Sequence, residues 1–284
     1  MLTKTFFLLT NRSPRGRKIA FRILFEYLAR KHRNFTRWTQ MNYGFAGESE
    51  SGHTVSLDPA DEWERYCHQL YHRIAGNADL AGKDVVEVSC GRGGGAAFIH
   101  RHFKTRSVIG IDIAENAIAF CRRRHLLPQL RFLQGDAEDI PLFDESADAL
   151  INVEASFCYG DIDRFFAEVR RVLRPDGHFL YADLRSPSEV EALVGSLRKS
   201  GLEILEWENI TANVVHALKL DSARRRELER ANVPWFLRHA IRTFAGAPGT
   251  RIPSALENGD LVYLVFKARR PPVRDGSAMV QLAA

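Results

Sequence analysis

Residues 85–95 read VVEVSCGRGGG, an apolar run that breaks into a turn containing Gly91, Gly93 and Gly95. The run 83–89 has the length and composition of a buried strand, and 94–103 continues as a helix. Glycine at such a junction lets the backbone turn sharply and come close to a neighbouring helix or a ligand. Outward from this unit the alternation repeats. Strands are predicted at 107–113, 130–134, 147–154 and 178–183, helices at 115–125 and 162–173, and a turn at 174–177. Strand and helix alternating at this spacing imply parallel βαβ units with helices on both faces, a doubly wound α/β fold.

The flanks extend this core. Asp58 and Pro59 mark the start of a helix over 59–75. After the core come a helix at 187–200, a strand at 202–210, helical stretches at 213–231 and 234–245, and a last strand at 260–267. The insertion between the last two strands is too helical to extend the sheet, so it is expected to cap it. The expected organisation is a basic arm at 1–40, a core at 41–210, a helical cap at 211–258, and the last strand and tail at 259–284.

Composition limits the alternatives. With 284 residues, 45% hydrophobic and 26% charged, the chain is neither disordered, collagen-like nor of low complexity. Its net charge of +5 is unevenly spread: the first 40 residues hold ten Lys or Arg against Glu26 alone, which leaves the remainder slightly acidic. Within this arm, 14–33 reads as a basic amphipathic helix with Ile19, Ile23, Leu24, Tyr27 and Leu28 near one face. Such a helix either packs on the core or lies on an anionic membrane surface. The four cysteines, far apart and without a C-x-x-C pair, fit a reduced cytoplasmic compartment better than a zinc site or a disulfide framework. No apolar run approaches a membrane span, and Phe6 to Leu9 is too short for a signal-peptide core. The expected protein is cytoplasmic, either soluble or peripheral at the inner face of a membrane.

The predicted strand ends carry the chemistry. Asp112 closes the second strand, where a carboxylate accepts hydrogen bonds from ribose hydroxyls. Asp136 and Ala137 follow the third, placed for an exocyclic adenine amine and a backbone donor. Asn152 to Ser156 follows the fourth, at the switch point where open sheets bind ligands.

The series EVSCGRGGG (87–95), GIDI (110–113), GDAEDIPLFDESAD (135–148) and LRPDGHFLYAD (173–183) resembles the motifs of class I S-adenosylmethionine-dependent methyltransferases, in order and spacing, over roughly residues 60–185. With MNYGF (41–45), NVEASFCY (152–159) and YADLR (181–185), the likeness is to mycobacterial lipid methyltransferases acting on phthiotriol-type diols or on fatty acids. Sterol and tocopherol methyltransferases resemble it more distantly. The resemblance implies a seven-stranded, mostly parallel Rossmann-like sheet and S-adenosylmethionine as cofactor. It implies cofactor contacts from Glu87, Gly91, Gly93, Asp112, Ile113, Asp136, Ala137 and Asn152, and closure over the cofactor by Tyr43, which is otherwise a core residue. Ser89 departs from the family's pattern, which has glycine there.

On the acceptor side, relatives often carry His where this chain has Phe157, so an imidazole base for an alcohol is missing. A carboxylate acceptor, already ionised, needs no base. Glu154 is the remaining ionisable group at that strand end, either a base, an orienter or a packing carboxylate. Phe157, Tyr159, Trp235 and Phe236 are expected to wall the acceptor site. Arg224 to Arg226 on the cap stand where they would attract an anionic headgroup. His178, His216 and His239 show no ligand spacing, and no metal site is readable. The reading is thus an O-methyltransferase for a long-chain lipid, a fatty-acid carboxylate ahead of a phthiotriol-type hydroxyl. Methylation at O or C of a smaller or sterol-like product, and an RNA methyltransferase supported by the basic arm, remain as alternatives; the arm's interleaved aliphatics argue against nucleic acid.

Overall fold

The computed structural model describes residues 13–230 and 250–272. Seven strands form one sheet: β1 (Asp84–Val88), β2 (Ser107–Asp112), β3 (Leu130–Gln134), β4 (Ala147–Val153), β5 (Leu173–Arg185), β6 (Glu203–Asn209) and β7 (Val262–Arg269). Their order is β3-β2-β1-β4-β5-β7-β6, with all pairings parallel except those of β7. β7 slips between β5 and β6 from the opposite direction. The chain winds one way from β1 to β3 and the other way from β4, so the crevice at the C-terminal ends of β1 and β4 is the switch point.

Helices among the described residues are α1 (Pro14–Lys31), α2 (Arg65–Ala75), α3 (Gly94–His102), α4 (Glu115–Arg124), α5 (Ile162–Val172), α6 (Val190–Lys199), α7 (Thr211–Leu220), α8 (Ser222–Arg230) and α9 (Arg251–Asn258). One face of the sheet packs Phe165, Phe166, Phe179 and Tyr181; the other packs Phe98, Ile99, Ile118 and Phe120. Burial of such aliphatic and aromatic side chains supplies most of the driving force.

Three expectations are corrected. α1 forms, capped by Ser13 with Pro14 in its first turn, but its buried face is Ala20, Phe21, Leu24, Leu28 and Ala29. Ile19 and Ile23 are 59% and 65% exposed, because Phe21 and Leu24 meet Phe157 and Cys158 and turn the isoleucines away. The helix expected from residue 59 becomes regular only at Arg65, after a short 3-10 turn, since the Glu64 carboxylate accepts hydrogen bonds from the backbone N–H groups of Thr39 and Gln40. Finally, α9 was not anticipated. Its Pro253 lies in the first turn, where a missing N–H breaks no helical bond, and Gly259 ends it at φ +81°. The helical stretch expected at 234–245 lies outside the described residues.

Candidate active site

The turn after β1 is left-handed at Ser89 (φ +61°), Gly91 (φ +53°) and Gly93 (φ +77°). The two glycines differ in role. A Cβ on Gly91 would meet only the Met41 sulfur, at 3.4 Å, so that side of the chain faces the pocket. A Cβ on Gly93 would lie 2.7 Å from the Phe132 ring and 2.9 Å from the Cys121 sulfur. Gly93 is therefore required by packing against Phe132 and Cys121. Ser89 bears the left-handed strain that glycine would avoid. Its Oγ lies 2.6 Å from the Tyr159 hydroxyl, so the departure from the family pattern comes with a hydrogen bond that glycine cannot make.

Beneath the turn, Glu87 accepts from the Tyr71 hydroxyl and from the Ala96 N–H, and burial pushes its pKa up to about 8. It orients the loop from below, and its Oε2 is buried without a hydrogen-bond partner. Asp112 accepts from the N–H groups of Gly91 and Ala114, each at 2.8 Å, and burial raises its pKa to about 6. This carboxylate, with Gly91, Ile113, Asp136 and Ala137, lines one pocket. Asn152 does not. It is fully buried, and its Nδ2 donates to the Val88 carbonyl at 2.9 Å and the Tyr159 hydroxyl at 2.8 Å, so it braces the wall from behind.

Glu154, at φ +50°, reaches the same pocket. Its Oε1 accepts from the Tyr43 N–H at 2.7 Å and the Tyr263 hydroxyl at 2.8 Å. Burial pushes its pKa up to about 8, partly offset by those hydrogen bonds and by Arg225. Tyr43 is buried beside it; its carbonyl accepts from Arg225 and its ring lies 5.8 Å from the guanidinium carbon. Arg224 and Arg225 are not free to meet a headgroup as expected, because both pair with the buried Asp221.

A second cavity adjoins the first, with Phe21, Tyr43, Phe157 and Tyr159 lining both. Phe21 and Phe157 meet edge to face, centroids 5.8 Å apart. Beyond them the walls include Ile162, Leu184, Leu193, Ile252 and Leu261, with both cations (Arg17, Arg185, Arg251) and carboxylates (Asp161, Asp163, Glu189, Asp260) among them. Arg185 is held by Asp183 at 3.1 Å, whereas the Nε of Arg17 is buried without a hydrogen-bond partner. Trp235, Phe236 and His239 lie outside the described residues. His216 is engaged with the Gly47 carbonyl at 2.9 Å.

Sequence reasoning missed the contribution of α1. Lys18, Phe21, Phe25 and Ala29 line the first pocket. Spacing alone could have put Phe21, Leu24 and Leu28 on one face; their exposure could not be read without the partner surface.

Sheet order, the glycine turn and the carboxylate after β2 define the class, a methyltransferase of the doubly wound kind. A family model described as a methyltransferase domain matches residues 86–181. The chain is 43% identical, over 78% of its length and 82% of the relative's, to a phthiotriol/phenolphthiotriol dimycocerosates methyltransferase of Mycobacterium tuberculosis. It is 36% identical, over 81% and 83%, to a fatty-acid O-methyltransferase of Mycolicibacterium smegmatis. In fold it matches a geranyl diphosphate C-methyltransferase from Streptomyces coelicolor solved with S-adenosyl-L-homocysteine, at TM-score 0.59 and 17% identity over 81% of this chain and 89% of that one. The chain belongs to this family of S-adenosylmethionine-dependent methyltransferases.

The first pocket fits that cofactor. The Asp112 carboxylate suits the ribose hydroxyls, the open side of Gly91 suits close approach of the methionyl chain, and Phe25, Ile113 and Ala137 offer apolar surface to the adenine.

Proposed function

We propose that this enzyme methylates an oxygen of a long-chain lipid, with a fatty-acid carboxylate as the favoured acceptor. The observation that carries the reading is the second cavity, which is joined to the first pocket across Phe21 and Phe157, offers apolar surface from Leu184, Leu193, Ile252 and Leu261, and holds Arg17 beside the carboxylates Asp161, Asp163, Glu189 and Asp260. When bound, S-adenosylmethionine supplies an electrophilic sulfonium methyl. The protein's task is then to align an oxygen with it and to keep water out. Phe157, Tyr43 and Phe21 enclose the junction with apolar surface, and an alkyl chain would extend past them between Leu184, Leu193 and Ile252. A carboxylate arrives ionised, so no proton has to leave at the moment of transfer. Cationic Arg17 is suited to orient it.

One feature favours the hydroxyl reading instead. Glu154 lies at the cofactor pocket with a pKa of about 8, close to the value at which a general base works best near neutral pH. The two readings are separated by transfer of labelled methyl to long-chain fatty acids and long-chain diols, followed by alkali. Label released by alkali from the fatty-acid product is the expected result and identifies a methyl ester. Alkali-stable label on the diol alone would identify an ether and assign the base role to Glu154.

A further inference from the structure

α1 has two working faces. Its inner face supplies Lys18, Phe21, Phe25 and Leu28 to the walls of the cofactor pocket. Its outer face presents Ile19 and Ile23, one turn apart and both more than half exposed. Exposed isoleucines scattered singly need no explanation, but a pair one helical turn apart forms a continuous ridge. Cations flank that ridge: Arg15 lies to one side and Arg30 beyond Ile23, both exposed, while Arg22, also exposed, reaches the rim of the first pocket. The helix carries one acid, Glu26, and its carboxylate is engaged at the N-terminus of α4, accepting from the N–H groups of Glu115 and Asn116. The outer face therefore offers its cations without a competing anion from its own helix.

We infer that the outer face of α1 docks this enzyme onto an anionic lipid bilayer, with Ile19 and Ile23 entering the interface and Arg15 and Arg30 meeting the headgroups. Apolar insertion and attraction to anionic lipid together give stable but reversible attachment. Charge complementarity favours this occupant, and the isoleucine ridge separates it from a polyanion such as RNA, which would use the cations and leave the ridge wet. The geometry also places the docked surface on the helix that walls the pocket, so a lipid acceptor would leave the bilayer beside the site that receives it. The docking surface goes beyond the proposed reaction and does not depend on which oxygen is methylated.

The test is co-sedimentation of the full-length protein with vesicles of equimolar phosphatidylglycerol and phosphatidylcholine, against vesicles of phosphatidylcholine alone and against RNA. Wild type should sediment with the anionic vesicles at least tenfold more strongly than with neutral ones. Binding should weaken when salt rises from about 0.1 M to about 1 M, which shortens the Debye length from roughly 10 Å to roughly 3 Å. Ile19→Asp combined with Ile23→Asp should lose at least tenfold in vesicle partitioning. Its melting temperature should match wild type, as should its methyl transfer to a short-chain soluble acceptor. Arg15→Glu with Arg30→Glu should lose the preference for anionic lipid. Three outcomes overturn the inference: no partitioning of wild type, unchanged partitioning of the isoleucine variant, or retention on RNA that exceeds retention on vesicles. A drop in melting temperature of the isoleucine variant would also overturn it, since the ridge would then be packed by the chain itself.

Discussion

Lys18 Nζ lies 2.6 Å from the Asp136 carboxylate, so a cation from α1 fastens the end of β3 at the edge of the cofactor pocket. The same ammonium is 2.9 Å from Glu138. Both side chains of the Lys18–Asp136 pair are partly solvated, which limits its worth to about 0–1 kcal/mol. Its larger consequence is positional, because α1 is a wall of the pocket. Lys18→Met is expected to weaken S-adenosylmethionine binding by a few-fold and to speed hydrogen exchange in α1. Titration calorimetry and exchange measurements check both, and no change in either would mean that Phe21, Leu24 and Leu28 hold the helix alone.

Asp112 is the residue we propose to hold the cofactor's ribose. Its carboxylate is fixed by two backbone N–H groups and faces the pocket. Asp112→Ala should cost on the order of 1–3 kcal/mol of cofactor binding, the range for a lost charged hydrogen bond. Calorimetry measures it, with Asp112→Asn as the variant that keeps an acceptor for the turn.

Much of this geometry is legible in the sequence, for a physical reason. The strands at 84–88, 107–112, 130–134 and 147–153 are short apolar runs ended by turn residues, and Asp112, Asp136 and Glu154 follow where side chains at strand ends must face the crevice. What escaped depends on contacts between distant segments. That Gly93 is also demanded by packing shows only once Phe132, 39 positions away, is seen against it. The Asn152 Nδ2 is held by Val88 and Tyr159, while its Oδ1 is buried without a hydrogen-bond partner, and neither fact is visible in the sequence. The pattern at 14–33 groups Ile19 and Ile23 with Leu24 and Leu28, because it shows which residues are apolar but not which of two apolar stripes finds a partner.

Ser89 gives a direct test of strain against hydrogen bonding. Ser89→Ala keeps the left-handed φ and loses the bond to Tyr159, so it should lose about 1 kcal/mol of stability. Ser89→Gly loses the bond but relieves a strain of roughly 1–2 kcal/mol, so it should stay close to wild type. Urea denaturation of the two variants decides the order, and equal loss in both would assign the whole effect to the hydrogen bond.

The buried carboxylates Glu87 and Glu154 set a pH dependence. Burial raises both folded pKa values to about 8, above the ordinary 4.5. Between these values the folded state binds more protons than the unfolded one, so stability is fully present at low pH and falls as pH rises from about 4.5 towards about 8. Glu154→Gln keeps an acceptor for Tyr43 and Tyr263 but cannot ionise, and it should flatten this decline. Melting temperatures measured from acid to mildly alkaline pH check the slope. A slope identical to wild type would show that Glu154 is ionised in the folded protein well below pH 8.

On the proposed reading, Arg17 would distinguish the acceptors from the protein's side. One of its terminal nitrogens donates to the Tyr159 carbonyl at 3.2 Å, the side chain lines the second cavity, and its buried Nε is without a hydrogen-bond partner. A guanidinium so held would pair with a carboxylate in two-point fashion, which an ammonium or amide cannot reproduce. Arg17→Gln should therefore raise KM for a fatty acid about tenfold, the equivalent of about 1.4 kcal/mol, with kcat little changed. Arg17→Lys should recover only part of that loss. Neither variant should alter cofactor affinity, and a long-chain alcohol should be methylated equally well by both and by wild type. Steady-state kinetics on the two acceptors make the comparison. An equal rise in KM for acid and alcohol would mean that Arg17 shapes the cavity through Tyr159 and does not recognise charge.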